Sequence, residues 1–293
     1  MRQKVAEEES ESRKEWIGKQ PVRELIQRDY LPVDMRKRSL LDQEHLLLNF
    51  YRVSSRKAYE EIYTEYKVAA RAVKGTPSTS EAMKAWLQIV TNEAEKVNAV
   101  MAAEYDAGAF AALLPRIANL SAKMDAGAMT LKDYLLRIKA LCADVGVIVL
   151  YIERLKDVRR LNGVAMWLTK SRPIIALTLY GGASDRIVFS FFHEAAHILH
   201  DNQKLIYVSD PDAPQEKSAN RFAAETILPG VTDQEIRMTD AKMSKLEPIA
   251  HRLQVSADFV IGRYHYLTDQ FSKPFHRFHS ISWKAIGTWQ LVG

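Results

Sequence analysis

The string Phe191-Phe192-His193-Glu194-Ala195-Ala196-His197-Ile198-Leu199-His200 holds two histidines four residues apart, with a glutamate directly after the first. On a helix this spacing sets both imidazoles on one face a turn apart, where two nitrogens can bind one zinc ion at about 2.0–2.1 Å. Glu194 is displaced from that face, which makes its carboxylate a poor third ligand. It can instead take a proton from an attacking water, because a bound metal lowers the pKa of water toward about 7. The chemistry this pattern can support is hydrolysis by a metal and a general base.

Two ligands do not close a zinc site. The extended pattern HExxHxxGxxH would need Gly at 200 and His at 203, and the chain has His200 and Gln203 instead. His200 lies three residues past His197 on roughly the same face, but three ligands from one straight helix cannot close around a tetrahedral ion without strain. It reads as a polar neighbour of the ligands or a plain surface residue. The remaining source is a carboxylate from another helix, and Gln215 to Pro229 supplies one. Ala219, Phe222, Ala223 and Ile227 form the buried stripe of that helix, Glu216 and Asn220 border it, and Glu225, about half a turn out of phase with Glu216, faces elsewhere. Glu216 can then be the third ligand, and Asn220, one turn on, a hydrogen-bond partner for a ligand imidazole. The plainer reading of Glu216, an exposed glutamate near a helix N-terminus, stays open.

The elements that must position these residues are legible from periodicity. Residues 1 to about 20 alternate charges without an apolar stripe, as in an exposed, fraying helical tail. From Pro21, apolar residues recur at three- and four-residue steps through Leu25-Ile26, Leu40-Leu41, Leu46-Leu47-Leu48 and Phe50-Tyr51, predicting amphipathic helices. The turn cluster Thr76 to Ser80 precedes a helix capped by Ser80 and running from Glu81 to about Met101, and Thr130 caps another over Leu131 to Ala143. After Gly146 three short β-branched runs, Val147 to Ile152, Val164 to Leu168 and Ile174 to Tyr180, predict a sheet. Ser184 or Asp185 then caps the helix that ends at His200. The strand Ile174 to Tyr180 is expected to pair with an extended substrate.

Composition bounds the class. The chain has 293 residues, 47% hydrophobic and 26% charged, the balance of a globular protein with room for one or two cores. Gly and Pro together number only 22 (12 + 10), which favours helix over turn-rich folds. Cys142 is the single cysteine, so neither an intrachain disulfide nor a thiolate zinc site can form, and any zinc must sit on His and carboxylate ligands. With no apolar leader at the start and no long apolar run, the expected location is the cytoplasm. The net charge of +5 tolerates a nucleic-acid partner without requiring one.

Three blocks resemble the ImmA/IrrE family of zinc metallopeptidases: Phe191 to His200, matching its FFHExxHxLxH signature, Glu216 to Pro229, matching ExxANxFAxxxLxP, and Gly163 to Tyr180, similar to the strand pair ahead of the active helix. The resemblance covers roughly residues 130 to 270. It implies a gluzincin-like site of Zn2+ on His193, His197 and Glu216 with Glu194 as general base; Asn220 stands where gluzincins often carry aspartate. It also implies an α+β, zincin-like domain with a small mixed sheet and the HExxH helix, preceded by an all-helical domain. The expected division is a helical connector at 1–125, the peptidase at 126–270 and a C-terminal packing tail at 271–293.

Family members characteristically cleave a partner helix-turn-helix repressor, so the implied partner is a DNA-binding repressor or antitoxin-type protein, with no membrane. Many carry a DNA-binding domain ahead of the helical connector, and this chain is expected to lack it. Ile249 to Arg263 has helix-turn-helix cadence, but a recognition helix reading Phe259-Val260-Ile261 would offer few groups to base edges, so direct DNA binding is not expected. Leu40 to Tyr63, with the same cadence, reads as scaffold. Tyr180, His251, Arg263 and His265 are candidates for oxyanion stabilisation. The alternative function is a non-catalytic, antitoxin-like module binding protein or DNA.

Overall fold

A computed structural model describes residues 2–62, 80–158, 161–200, 213–274 and 276–291. The fold is α+β, with a helical N-terminal region and one small mixed sheet. The chain divides into two compact units, Met1–Asn92 with Arg154–Arg159, and Glu93–Glu153 with Arg160–Gly293.

The first unit contains α1 (Arg2–Lys19), α2 (Val22–Gln27), α3 (Leu40–Tyr51) and the beginning of α4 (Glu81–Asn98). The charged start of α1 is solvent-exposed as its composition predicts, but its last turns are anchored. Trp16 and Ile17 are buried, and Arg13 pairs with the buried Glu44 of α3. Ser80 accepts from the Met83 amide and so caps α4, while residues 76–79 of the expected turn cluster lie outside the described residues.

In the second unit follow α5 (Ala107–Leu120), α6 (Leu131–Ala143), β1 (Ile148–Tyr151), β2 (Gly163–Thr169) and β3 (Arg172–Leu177). Then come α7 (Ser184–His200), α8 (Pro214–Ile227), α9 (Asp233–Arg237), α10 (Met243–Leu253), α11 (Ala257–Thr268) and α12 (Trp283–Ile286). The Thr130 cap of α6 is a full capping box with Asp133. The sheet order is β1-β3-β2, parallel between β1 and β3 (Ile148 opposite Ile174) and antiparallel between β2 and β3 (Met166 opposite Ile174).

This order corrects one expectation. β3 is central and hydrogen-bonded on both sides, so it has no edge to offer an extended substrate. It also ends at Leu177, because Leu179 takes the left-handed conformation (φ 54) and turns the chain out of the sheet. α7 packs on β2 and β3, α8 packs on α7, and Phe191, Phe192, Ala195 and Ile198 of α7 are buried. Phe259, Val260 and Ile261 of α11 are core residues of this unit, at most 5% exposed.

The C-terminal residues return to this core. The indole of Trp283 donates to the Thr178 carbonyl, and Leu291 is buried. The fully buried Asp258, in the first turn of α11, accepts from His276 Nε2 at 2.6 Å, from His279 Nδ1 at 2.9 Å and from the Ser184 hydroxyl at the start of α7. Burial alone would raise the Asp258 carboxyl, but the hydrogen bonds from His276, Ser184 and His279 outweigh it and hold its pKa below the ordinary aspartate value. A carboxyl depressed in the folded state contributes stability above its unfolded pKa of about 3.9, and that contribution is lost as pH falls through the lower folded value. Asp258→Asn is therefore expected to lower the unfolding free energy at neutral pH by about 1.5–3 kcal/mol. It should also flatten the acid limb of the stability curve. Urea titrations at neutral and acid pH check this; an unchanged midpoint in the variant contradicts the role.

Candidate metal centre

α7 starts where the turn after Leu179 delivers the chain to the sheet, and it presents two faces to two neighbours. Adjacent residues on a helix point about 100° apart. His193 and His197, about 40° apart around the helix, face α8, while Glu194, about 100° from His193, faces β2. Glu194 is 6% exposed, and the nearby backbone of Ala165 in β2 favours its charged form. β2 reaches so close because residue 163 is glycine: a Cβ there would stand 2.5 Å from the Leu177 side chain and 3.2 Å from Glu194 Cγ. The second oxygen of Glu194, Oε2, is buried without a hydrogen-bond partner.

α7 and α8 run antiparallel in a register that steps by four. His197 meets Glu216, and His193 meets Asn220 one turn earlier on α7 and one turn later on α8. The small buried residues Ala219 and Ala223 let the helices come together. His193 Nε2 lies 3.1 Å from His197 Nε2 and 3.0 Å from Glu216 Oε2, and His197 Nε2 lies 3.1 Å from Glu216 Oε1. Ligand atoms about 2.0–2.1 Å from a tetrahedral ion would be about 3.3 Å apart, so the three residues fit one ion with little movement. They are the group among the described residues that could hold a metal.

The electrostatics agree. His193 Nδ1 is 3.0 Å from Asn220 Oδ1, an arrangement in which Nδ1–H donates and Nε2 keeps its lone pair toward His197 and Glu216. Burial disfavours the His193 cation, yet the hydrogen bond to Glu216 and the charges of Glu194 and Glu216 outweigh it and raise the histidine's pKa. The spot therefore draws positive charge, as a proton or as a metal ion. Burial raises the Glu194 carboxyl as well, against the lowering effect of His193 and His197.

The other residues singled out from the sequence fall outside the cluster. His200 is exposed and stacks edge-to-face on Phe222, ring centroids 5.1 Å apart. Glu225 is exposed. Of the oxyanion candidates, Arg263 pairs with Asp233 at 2.6 Å, His251 is exposed, Tyr180 is 40% exposed and His265 is buried in a cavity of its own. Sequence reasoning missed Ala165 and Gly163. A glycine opening a predicted strand just ahead of the HExxH helix was the available sign of a close backbone approach.

Asn220→Ala is expected to weaken metal binding about 10–100-fold by freeing the His193 ring. Glu216→Ala should lose a ligand and bind more weakly still, and His200→Ala should bind as the parent does. Competition with a chromogenic chelator measures all three, and equal affinity of the Asn220 variant and the parent would contradict the orienting role.

Residues 157–265 match the family model Peptidase_M78, described as the IrrE N-terminal-like domain. The match runs from just ahead of β2 into α11 and so contains His193, Glu194, His197, Glu216 and Asn220. No curated protein and no solved structure matches the chain. The segment 157–265 is thus similar to the IrrE N-terminal-like domain, and the match supports a protease of the ImmA/IrrE type.

Proposed function

We infer that the protein is a zinc-dependent endopeptidase whose substrate is a DNA-binding repressor or antitoxin-type protein of the cytoplasm. The observation that supports this best is the pairing of a three-ligand cluster with a buried carboxylate oxygen, Glu194 Oε2, that has no partner of its own. A structural zinc site is normally closed by four protein ligands; with three among the described residues, one position is left for reactants.

Zinc on His193, His197 and Glu216 would polarise the scissile carbonyl and make water acidic enough to attack near neutral pH. Glu194 takes the proton of the attacking water on Oε2 and returns it to the leaving nitrogen, a role that contributes about 10²–10⁴-fold in rate. Asn220 holds the His193 ring in the ligating tautomer. β2 is the antiparallel edge of the sheet and touches Glu194 through Ala165, so an extended polypeptide laid along it as a further strand would carry its backbone past the base.

Glu194→Gln is expected to keep full metal content by elemental analysis while cutting proteolysis by at least about 10²-fold. Co-expression with helix-turn-helix proteins encoded beside the gene, followed by mass spectrometry, should show a cleaved partner with the parent chain and an intact one with the variant. Equal cleavage by both would remove Glu194 from the mechanism, and the absence of any cleaved partner would remove the repressor as substrate.

A further inference from the structure

The α7–α8 seam does not stop at the metal ligands. Continuing its four-residue steps, Phe189 comes level with Ala224 and Asp185 with Leu228, and all four line a cavity of about 410 Å³. The cavity begins one turn beyond the His193–Asn220 contact, about 6 Å along the helix axis. Its other walls are aromatic, with Phe259, Phe271 and Phe278 prominent, and the ring of His265 packs against the last two at 6.0 and 5.7 Å between centroids. Two polar atoms on residues lining this mainly apolar space, which Arg186 and Arg263 also border, are buried without a hydrogen-bond partner: Asp185 Oδ1 and Nε2 of His265, a residue only 7% exposed. Gly262 brings α11 against Asp185, since a Cβ there would meet the carboxylate at 2.7 Å. Of the two arginines at the cavity, Arg263 is engaged by Asp233 and stacks on Tyr266, and Arg186 attracts the Asp185 carboxylate but leaves Oδ1 without a hydrogen bond.

Buried unpartnered polar atoms are rare in proteins and ask for an occupant that pairs with them. A carboxylate oxygen accepts a hydrogen bond, and an imidazole nitrogen donates or accepts according to its tautomer. Burial lowers the His265 pKa and so favours the neutral ring. A saturated chain would leave both atoms unpaired, whereas a flat ring with an N–H or O–H on its edge fits the aromatic walls and supplies the donor. We propose that this cavity binds an aromatic ring carrying a hydrogen-bond donor, an indole or a phenol. The ring arrives either as a tryptophan or tyrosine side chain of the polypeptide bound at the metal centre or as a free small molecule, and in both cases it presses on the two helices that carry the ligands.

The test uses the full chain without added metal and fluoroindole as the probe, followed by ¹⁹F NMR. Indole is expected to displace the probe at least tenfold better than indene, which has the same shape and no N–H. Ala224→Phe should fill the cavity and abolish binding, and Asp185→Leu, which removes an unpartnered atom and so should fold, should bring indole and indene to equal strength. No saturable binding of fluoroindole, equal displacement by indene in the parent, or parent-like binding by Ala224→Phe of intact circular dichroism would each overturn the proposal. The source of the ring is read with a cleaved peptide, and this arm alone rests on the endopeptidase reading. Mutual exclusion of peptide and fluoroindole, with indole raising KM, assigns the cavity to the substrate side chain; simultaneous binding, with indole altering kcat, assigns it to a free molecule. Binding of the probe to the metal-free chain stands or falls whether or not any peptide is cut.

Discussion

The contact on which the centre depends is the close antiparallel packing of α7 on α8. It brings a carboxylate and two imidazole nitrogens within about hydrogen-bonding distance of one another. Three lone-pair atoms held that close repel unless a cation sits among them, and the raised His193 pKa is one expression of that demand. A metal ion and a proton would compete for the same nitrogen, so metal binding there would weaken as pH falls and would be linked to keeping the two helices together. The alanines of α8 make the approach possible, because a larger side chain at 219 or 223 would push Glu216 out of range.

The sheet has the complementary task. Since neighbouring residues on α7 diverge by about 100°, the helix can give His193 and His197 to α8 and Glu194 to β2 only if it is wedged between them. β3 lies at the centre of the sheet and anchors it, while β2, at the edge, runs close beside Glu194 at Gly163. The start of α7 is tied in turn to α11 and the C-terminal residues through Ser184, Asp258, His276 and His279. Elements from Ser184 to His279 therefore share in orienting one helix.

Much of this was legible in the chain. The His193–His197 spacing is a local property of a helix, and Thr130 with Asp133 is a cap read from three residues of separation. Glu216 and Asn220 were legible less directly, because the stripe of Ala219, Ala223 and Ile227 shows which side of α8 faces inward and the two residues flank that side. Strand order was not legible, since apolar β-branched runs look alike whether central or at an edge, and β3 proved to be the covered one. Nor was the knot at Asp258, whose partners lie 18, 21 and 74 residues away.

By itself the sequence determined the helices, their inward faces, the two-histidine motif and, through the single cysteine, a nitrogen and oxygen ligand set. Those are consequences of short-range periodicity and of residue type. Only the tertiary structure decided that Glu216 stands opposite both histidines, that Asn220 rather than His200 meets the His193 ring, and that Glu194 is buried against β2 where Gly163 lets the strand approach. Each of these depends on the register and separation of two elements, which burial and close packing set across the core and which no spacing along one element encodes.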